Sequence, residues 1–223
     1  MIYDEETARR YYEAYENCFR EKKDYAKELV KRELNGIEGR RFLDIGCGRG
    51  DDAREAFENG AKYSCGIDIV GEILPRERWI RDSSWEKDLQ YQLGDFNSRL
   101  HFPNNFFDYV ISKYAIHDAD SLESVFFEIS RIMKNGGKFI GVVPSPSKLL
   151  AYAQTSSRDQ PQDKVTIPIW DGTISVENKV RWHKDYWNAF KRVGLKLRGQ
   201  TEANYFGNRA SLPDFYFFVL EKE

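Results

Sequence analysis

The sequence predicts an α/β protein: a doubly wound, mostly parallel sheet of seven strands, with helices at the N-terminus and a β-hairpin inserted before the last helix. Two observations predict it. Short apolar runs alternate with helical periods along most of the 223 residues. The first of these runs, Arg41-Phe42-Leu43-Asp44-Ile45, passes straight into a glycine-rich turn, Gly46-Cys47-Gly48-Arg49-Gly50, that opens a helix. A run apolar on both faces suits a central parallel strand. With 41% apolar and 15% aromatic residues, the chain has enough material for one folded domain spanning 1–223.

Composition also narrows the function classes. The net charge is −2 and the pI about 6.0, so there is no bulk attraction to nucleic acid or acidic membrane. Cys18, Cys47 and Cys65 have neither zinc nor redox spacing. No run approaches membrane-spanning length and no apolar signal core opens the sequence, which predicts a cytoplasmic protein without a membrane partner.

Residues 4–35 read as two helices. Tyr11, Tyr15 and Phe19 recur at helical spacing, then Tyr25, Leu29 and Val30, before a stop at Asn35-Gly36. After the glycine turn, Cys65-Gly66-Ile67-Asp68-Ile69 reads as a second strand ending in an acid. Leu89–Phe96 reads as a third, ending Gly94-Asp95-Phe96, and Phe107–Lys113 as a fourth. Asp120-Ser121-Leu122-Glu123 reads as a capping box. The helix behind it carries Leu122, Val125, Phe126, Ile129, Ile132 and Met133 on one face and closes at Asn135-Gly136-Gly137. A fifth strand follows, Lys138–Val143. Residues 147–164 read as less regular, and Gln154–Lys164, rich in Ser, Gln, Asp and Pro, reads as a mobile loop. Val165–Trp170 and Thr173–Val176 flank Asp171-Gly172, a hairpin signal, with Pro168 marking an edge strand. A helix near His183–Phe190 and two last strands, near Lys196–Gln200 and Phe215–Glu221, complete the pattern.

The glycine turn identifies a ligand class. A dinucleotide fingerprint would need its third glycine one residue later, and Asp51 and Asp52 would repel a pyrophosphate. No Gly-Lys-Ser or Gly-Lys-Thr follows, so a P-loop is absent. Asp44, Gly46, Gly48 and Gly50 instead fill the acidic-x-Gly-x-Gly-x-Gly pattern, which resembles the first motif of class I S-adenosylmethionine-dependent methyltransferases of the small-molecule type. The Phe107-Asp108-Tyr109-Val110 strand and the passage from helix through Gly-Gly to the fifth strand also resemble that family.

The resemblance implies a Rossmann-like fold, S-adenosylmethionine as cofactor and S-adenosylhomocysteine as product. It implies that Asp68 holds the ribose, that Asp95 takes the adenine amino group, and that Phe96 covers the ring. Gly46, Cys47, Gly48, Gly50, Ile69 and Lys113 would complete the cofactor site. Residues 1–36 would cap the cleft, where Tyr11, Tyr12 or Tyr15 is placed to reach the cofactor carboxylate; Tyr12 is assigned to the cofactor and Tyr11 and Tyr15 to the substrate. Residues 147–182 would form a loop-and-hairpin lid, with Tyr152, Trp170 and Trp182, and Tyr205 and Phe206 beyond it, as candidates for an aromatic substrate wall.

The methyl donor is already activated, so no metal is expected. His117 is the first candidate base, directly after the fourth strand, with Asp118 or Asp120 to orient it. His183 is the second. The expected partner is a small molecule accepting at O or N, without nucleic acid, and the chain acts as a monomer or homodimer. The alternatives are a nucleic-acid or protein methyltransferase of the same fold, or a catalytically silent cofactor-binding subunit. No Asn-Pro-Pro-Tyr-like tetrad follows the fourth strand to favour a nucleic-acid amino group.

Overall fold

A computed structural model describes residues 5–75, 79–80, 88–156, 163–169, 172–207 and 212–223. In chain order the elements are α1 (Glu5–Phe19), α2 (Tyr25–Glu33), β1 (Arg41–Ile45), α3 (Asp51–Glu58), β2 (Tyr63–Asp68), β3 (Trp79–Ile80), β4 (Asp88–Leu93), β5 (Phe107–Lys113), α4 (Leu122–Ile132), β6 (Met133–Pro144), α5 (Pro146–Ser156), β7 (Lys164–Ile169), β8 (Ile174–Lys179), α6 (His183–Lys191), β9 (Leu195–Ala203) and β10 (Phe215–Lys222).

The main sheet runs β3-β4-β2-β1-β5-β6-β10-β9. The seven strands read from the sequence are all present, and β3 adds a two-residue antiparallel edge. β4, β2, β1, β5 and β6 are parallel, while β10 is antiparallel to both of its neighbours. Side-chain alternation splits the core into two layers. Leu43 and Ile45 join the cluster under α4 and α6, whereas Phe42 joins the one under α2 and α3. All three are fully buried, each stabilising the fold by about 2 kcal/mol.

β7 and β8 form a separate two-stranded sheet, with Pro168 opposite Ser175. α1 packs on it through Tyr11 and Ala14 against Ile174 and Val176. α5 packs on it through Leu149 against Val165 and Ile167. The hairpin is therefore held between two helices.

Three readings need correction. Residues 146–156 are helical where the sequence suggested irregular chain: Pro146 occupies the first helical turn, where its missing N–H costs nothing, and Leu149 is buried. The helix cap before α4 is Ser121, which accepts from Ser124 N at 3.2 Å, and not a box on Asp120. Asp120 is engaged elsewhere, its N–H on Asn97 and its carboxylate on Lys179. α2 packs onto the sheet beside β6 and β10, so of the two N-terminal helices only α1 overhangs the strand ends. The hairpin turn at Asp171 and part of the 154–164 loop lie outside the described residues.

Candidate active site

Two neighbouring strands leave β1 for opposite sides, β2 one way and β5 the other. Ligands in open α/β sheets bind outside the strand C-termini at such a switch point. There the chain leaves β1 through Gly46 and Gly48, at φ +73° and +55°. Gly46 N donates to Ile67 O at 2.8 Å and Gly48 N to Asp68 Oδ2 at 2.8 Å. A Cβ at Gly46 would collide with that of Ala115, and one at Gly48 with the Tyr12 hydroxyl. The turn is thus approached closely from both sides, and only glycine permits it. Gly50 has a different task. It caps α3 in the left-handed region and receives the Tyr91 ring, whose hydroxyl donates to Gly50 O at 3.2 Å.

Above the turn lies a cavity of about 320 Å³, within the size range of small-ligand sites. Gly46, Gly48, Asp68, Ile69, Asp95, Phe96, Lys113 and Tyr12 line it, together with Tyr11. Asp44 and Cys47 line a smaller chamber of about 100 Å³ next to it, with Tyr15. Gly50 lines neither cavity. The sequence reading missed Ala8, Val70, Ile73 and Asn97, which have no signature of their own and enter from α1 and the loops after β2 and β4.

The electrostatics are set by burial. Lys113 Nζ pairs with Asp52 Oδ2 at 2.6 Å, and both are largely buried. Burial opposes the ammonium, but Asp52, Asp24 and Tyr15 outweigh it and hold its pKa above the ordinary value. Asp44 is 2% exposed. Burial, followed by repulsion from Asp52, pushes its carboxyl well above the usual carboxylate range. Burial likewise keeps the Cys47 thiol protonated, which fits a packing role. Tyr12 is fixed between Arg49 N, at 3.2 Å from its hydroxyl, and the Arg49 guanidinium over its ring. That guanidinium pairs with Glu16 at 2.7 Å, tying α1 to the glycine turn.

A second cavity, of about 250 Å³, adjoins the first. Tyr11 and Tyr114 line both. Tyr114 sits at φ +54°, a strained conformation for a bulky residue, costing on the order of 1 kcal/mol. The short helical turn Ile116–Asp118 follows, turning His117 to the second cavity and Asp118 to the first. His117 is buried, with Nε2 3.0 Å from Asn178 Oδ1 on β8. Asp118 Oδ1 is 3.7 Å from the same nitrogen, beyond hydrogen-bond range. Burial lowers the His117 pKa against the opposing pull of Asp118. Lys179 staples β8 to this turn through Asp118 O, Ala119 O and Asp120 Oδ1.

Of the aromatic substrate wall, Tyr152 lines the second cavity, and Tyr205 and Phe206 join it from the β9–β10 connection. Tyr15 lies in the small chamber, its hydroxyl on Asp24 Oδ2 at 2.8 Å. Trp182 precedes α6 and is 43% exposed, away from these cavities. His183 is also elsewhere: its Nε2 is 3.2 Å from Glu202 Oε1 and its ring lies on Tyr216 at 4.1 Å. The start of α6 places His183 against Glu202 of β9 and Tyr216 of β10. Trp170 lies outside the described residues.

These residues fit an adenosyl ligand. Each Asp68 oxygen accepts one backbone N–H, from Gly48 and from Val70, and retains a lone pair for a hydroxyl donor. Gly46 and Gly48 line the same cavity as Asp68, beside Asp95 and Phe96.

The comparisons agree. A family model described as a methyltransferase domain matches residues 43–141. The sterol 24-C-methyltransferase of Schizosaccharomyces pombe is 36% identical over 185 residues, 80% of this chain and 45% of that protein. A Bacillus subtilis protein with a provisional assignment as a 23S rRNA (guanine-N(1)-)-methyltransferase is 30% identical over 141 residues, 62% of this chain and 46% of that protein. The chain spans less than half the length of these curated relatives. Among solved structures, an S-adenosylmethionine-dependent methyltransferase from Clostridium acetobutylicum superposes with a TM-score of 0.67 at 15% identity, covering 96% of this chain and 98% of that one. The family's cofactor is S-adenosylmethionine. Residues 43–141 match a methyltransferase domain, and the fold around the glycine turn is that of the class I S-adenosylmethionine-dependent methyltransferases.

Proposed function

We propose that this chain transfers a methyl group from S-adenosylmethionine to O or N of a small-molecule acceptor. One observation carries this reading. The cavity over the glycine turn and the second cavity are neighbours, sharing Tyr11 and Tyr114, with Asp118 and His117 on one turn between them. When bound, S-adenosylmethionine supplies an electrophilic methyl group. Asp68 is assigned to the ribose, Asp95 and Phe96 to the adenine, and Tyr12 and Lys113 to the methionine end. His117 takes the proton of the acceptor. The hairpin and α5 close the acceptor site.

The second cavity supports a compact acceptor. At roughly 30 Å³ per water-sized group, its volume holds on the order of ten non-hydrogen atoms. The test supplies labelled S-adenosylmethionine and the purified chain to a cell extract, then separates small molecules from macromolecules. Label in the small pool supports the reading. Label confined to RNA or protein overturns it, and an absence of S-adenosylhomocysteine binding by calorimetry removes the cofactor assignment as well.

A further inference from the structure

His117 is held in one tautomer. The Asn178 amide nitrogen donates to Val176 O at 3.1 Å, which orients the amide. Its oxygen is therefore the atom facing His117 Nε2, at 3.0 Å. An amide oxygen only accepts, so Nε2 carries the hydrogen and the neutral ring keeps Nδ1 as a bare lone pair. Nδ1 is buried, and among the described residues nothing bonds it. A buried acceptor without a partner is costly and calls for a use. Its charged neighbours are Asp118 from its own turn and Arg181 from the segment after β8.

Among the described residues, the lining of the cavity beside His117 is uncharged overall. Its one ion pair, Lys148 with Asp214 at 2.9 Å, neutralises itself, and Asp214 also accepts from Tyr205 N. The remaining wall is aliphatic and aromatic, with Leu149, Ile167 and Val176 facing Tyr152. Among the described residues of that wall an ammonium acceptor would find no unpaired carboxylate. A lone pair on Nδ1 asks instead for a neutral group with a hydrogen to give. A phenolic hydroxyl, with a pKa near 10 like that of tyrosine, is within reach of an imidazole base, and an aliphatic alcohol much less so.

Resting on the methyltransferase reading above, the geometry points to a compact, uncharged aromatic hydroxyl compound as the acceptor, its hydroxyl on Nδ1 of His117, with Asn178 positioning that imidazole. The acceptor's O–H bond breaks toward Nδ1 as its oxygen bonds the methyl carbon. The C–S bond breaks with its electron pair left on sulfur, giving S-adenosylhomocysteine. The imidazolium then returns one proton to water, and the reaction needs no oxidant or reductant.

Nitrogen NMR of the cofactor-free protein tests the positioning first, and with only three histidines assignment is simple. His117 should show hydrogen on Nε2 and none on Nδ1 at neutral pH, and a neutral phenol such as para-cresol should shift Nδ1 where benzylamine and cyclohexanol do not. A hydrogen on Nδ1, or equal response to all three probes, overturns the proposal. With labelled S-adenosylmethionine, a panel of neutral monocyclic and bicyclic phenols should give methyl ethers. Asn178→Ala should lower kcat about 10-fold or more at unchanged cofactor affinity. Asn178→Asp, which still accepts from Nε2, should restore most of it and move the acid limb of the pH profile up by about one unit. Methylation of amines alone, or of no phenol, refutes the acceptor class. Retained S-adenosylhomocysteine binding in that event leaves the methyltransferase reading standing, and its loss fells both.

Discussion

Replacing Lys113 with Met tests whether the charge cluster beneath the glycine turn holds the site together. Lys113 and Asp52 are 2.6 Å apart, their side chains 19% and 11% exposed. At an effective dielectric near 20, that separation corresponds to about 6 kcal/mol of attraction before desolvation is subtracted. Removing the cation strands Asp52 beside the buried Asp44, and breaking a buried pair from one side typically costs about 3–5 kcal/mol. Met keeps much of the lysine stem's packing, so about 3 kcal/mol is expected, or a fall in Tm of about 6–12 °C for a chain of this size. Because the folded-state pKa of Lys113 is raised, its contribution is complete below the ordinary lysine value and fades only as pH climbs through the higher one. Urea unfolding near neutral pH therefore reads the full effect. The double variant with Asp52→Asn removes the stranded charge and should recover about 2 kcal/mol. A loss under about 1 kcal/mol, or no coupling in the cycle, refutes the argument.

Asp44→Asn probes the same cluster through pH. The folded state holds the Asp44 proton longer than the unfolded chain does, so wild type loses stability as pH rises above the ordinary carboxylate range. Asn has no proton to lose, and the difference should grow in the variant's favour from about pH 4 to 8; a constant difference in paired unfolding curves would count against the burial account. Gly48→Ala forces a side chain into the left-handed region and against Tyr12, costing about 1–2 kcal/mol and weakening S-adenosylhomocysteine binding by calorimetry; unchanged values would show that α1 does not press on the turn. Asp68→Ala should weaken that binding about 10-fold or more, and unaltered affinity would remove its ribose role. His183→Ala should leave turnover near wild type, since His183 sits against Glu202 and Tyr216 outside the cavities; a large fall in kcat would reinstate it as a base candidate.

The lining of the cavity over the glycine turn was largely legible in the sequence because it is written locally. Gly46, Asp68, Asp95 and Lys113 each end a strand whose apolar run marks it, and a parallel sheet brings its strand ends to one edge. Gly50 matched the pattern for another reason, the room it gives Tyr91. Side-chain partners from distant elements were not legible. Nothing near His117 announces Asn178, which reaches it from 61 residues away on the hairpin. The pairing of Lys113 with Asp52 likewise needs β5 to lie beside β1, an adjacency set by sheet order alone. Nor was it legible that His183 and Trp182 line neither cavity, because helix-start position says nothing of where the helix packs.

The same division has a functional consequence. The cavity over the glycine turn is built largely from the ends of the sheet, whose strands interlock through the main core. The walls of the second cavity come mostly from α5 and the hairpin, which rest on smaller clusters of their own, and from the β9–β10 connection, whose Tyr205 packs on the main core. Substitutions at Leu149 or Ile167 can therefore reshape the acceptor site without touching the glycine turn. Truncating Ile167 to Ala enlarges that cavity by a few methyl groups at a cost of about 2–4 kcal/mol. The expected signature is a changed order of preference among acceptors at constant affinity for S-adenosylhomocysteine. Equal weakening of cofactor and acceptor binding would show instead that the hairpin supports both cavities as one unit.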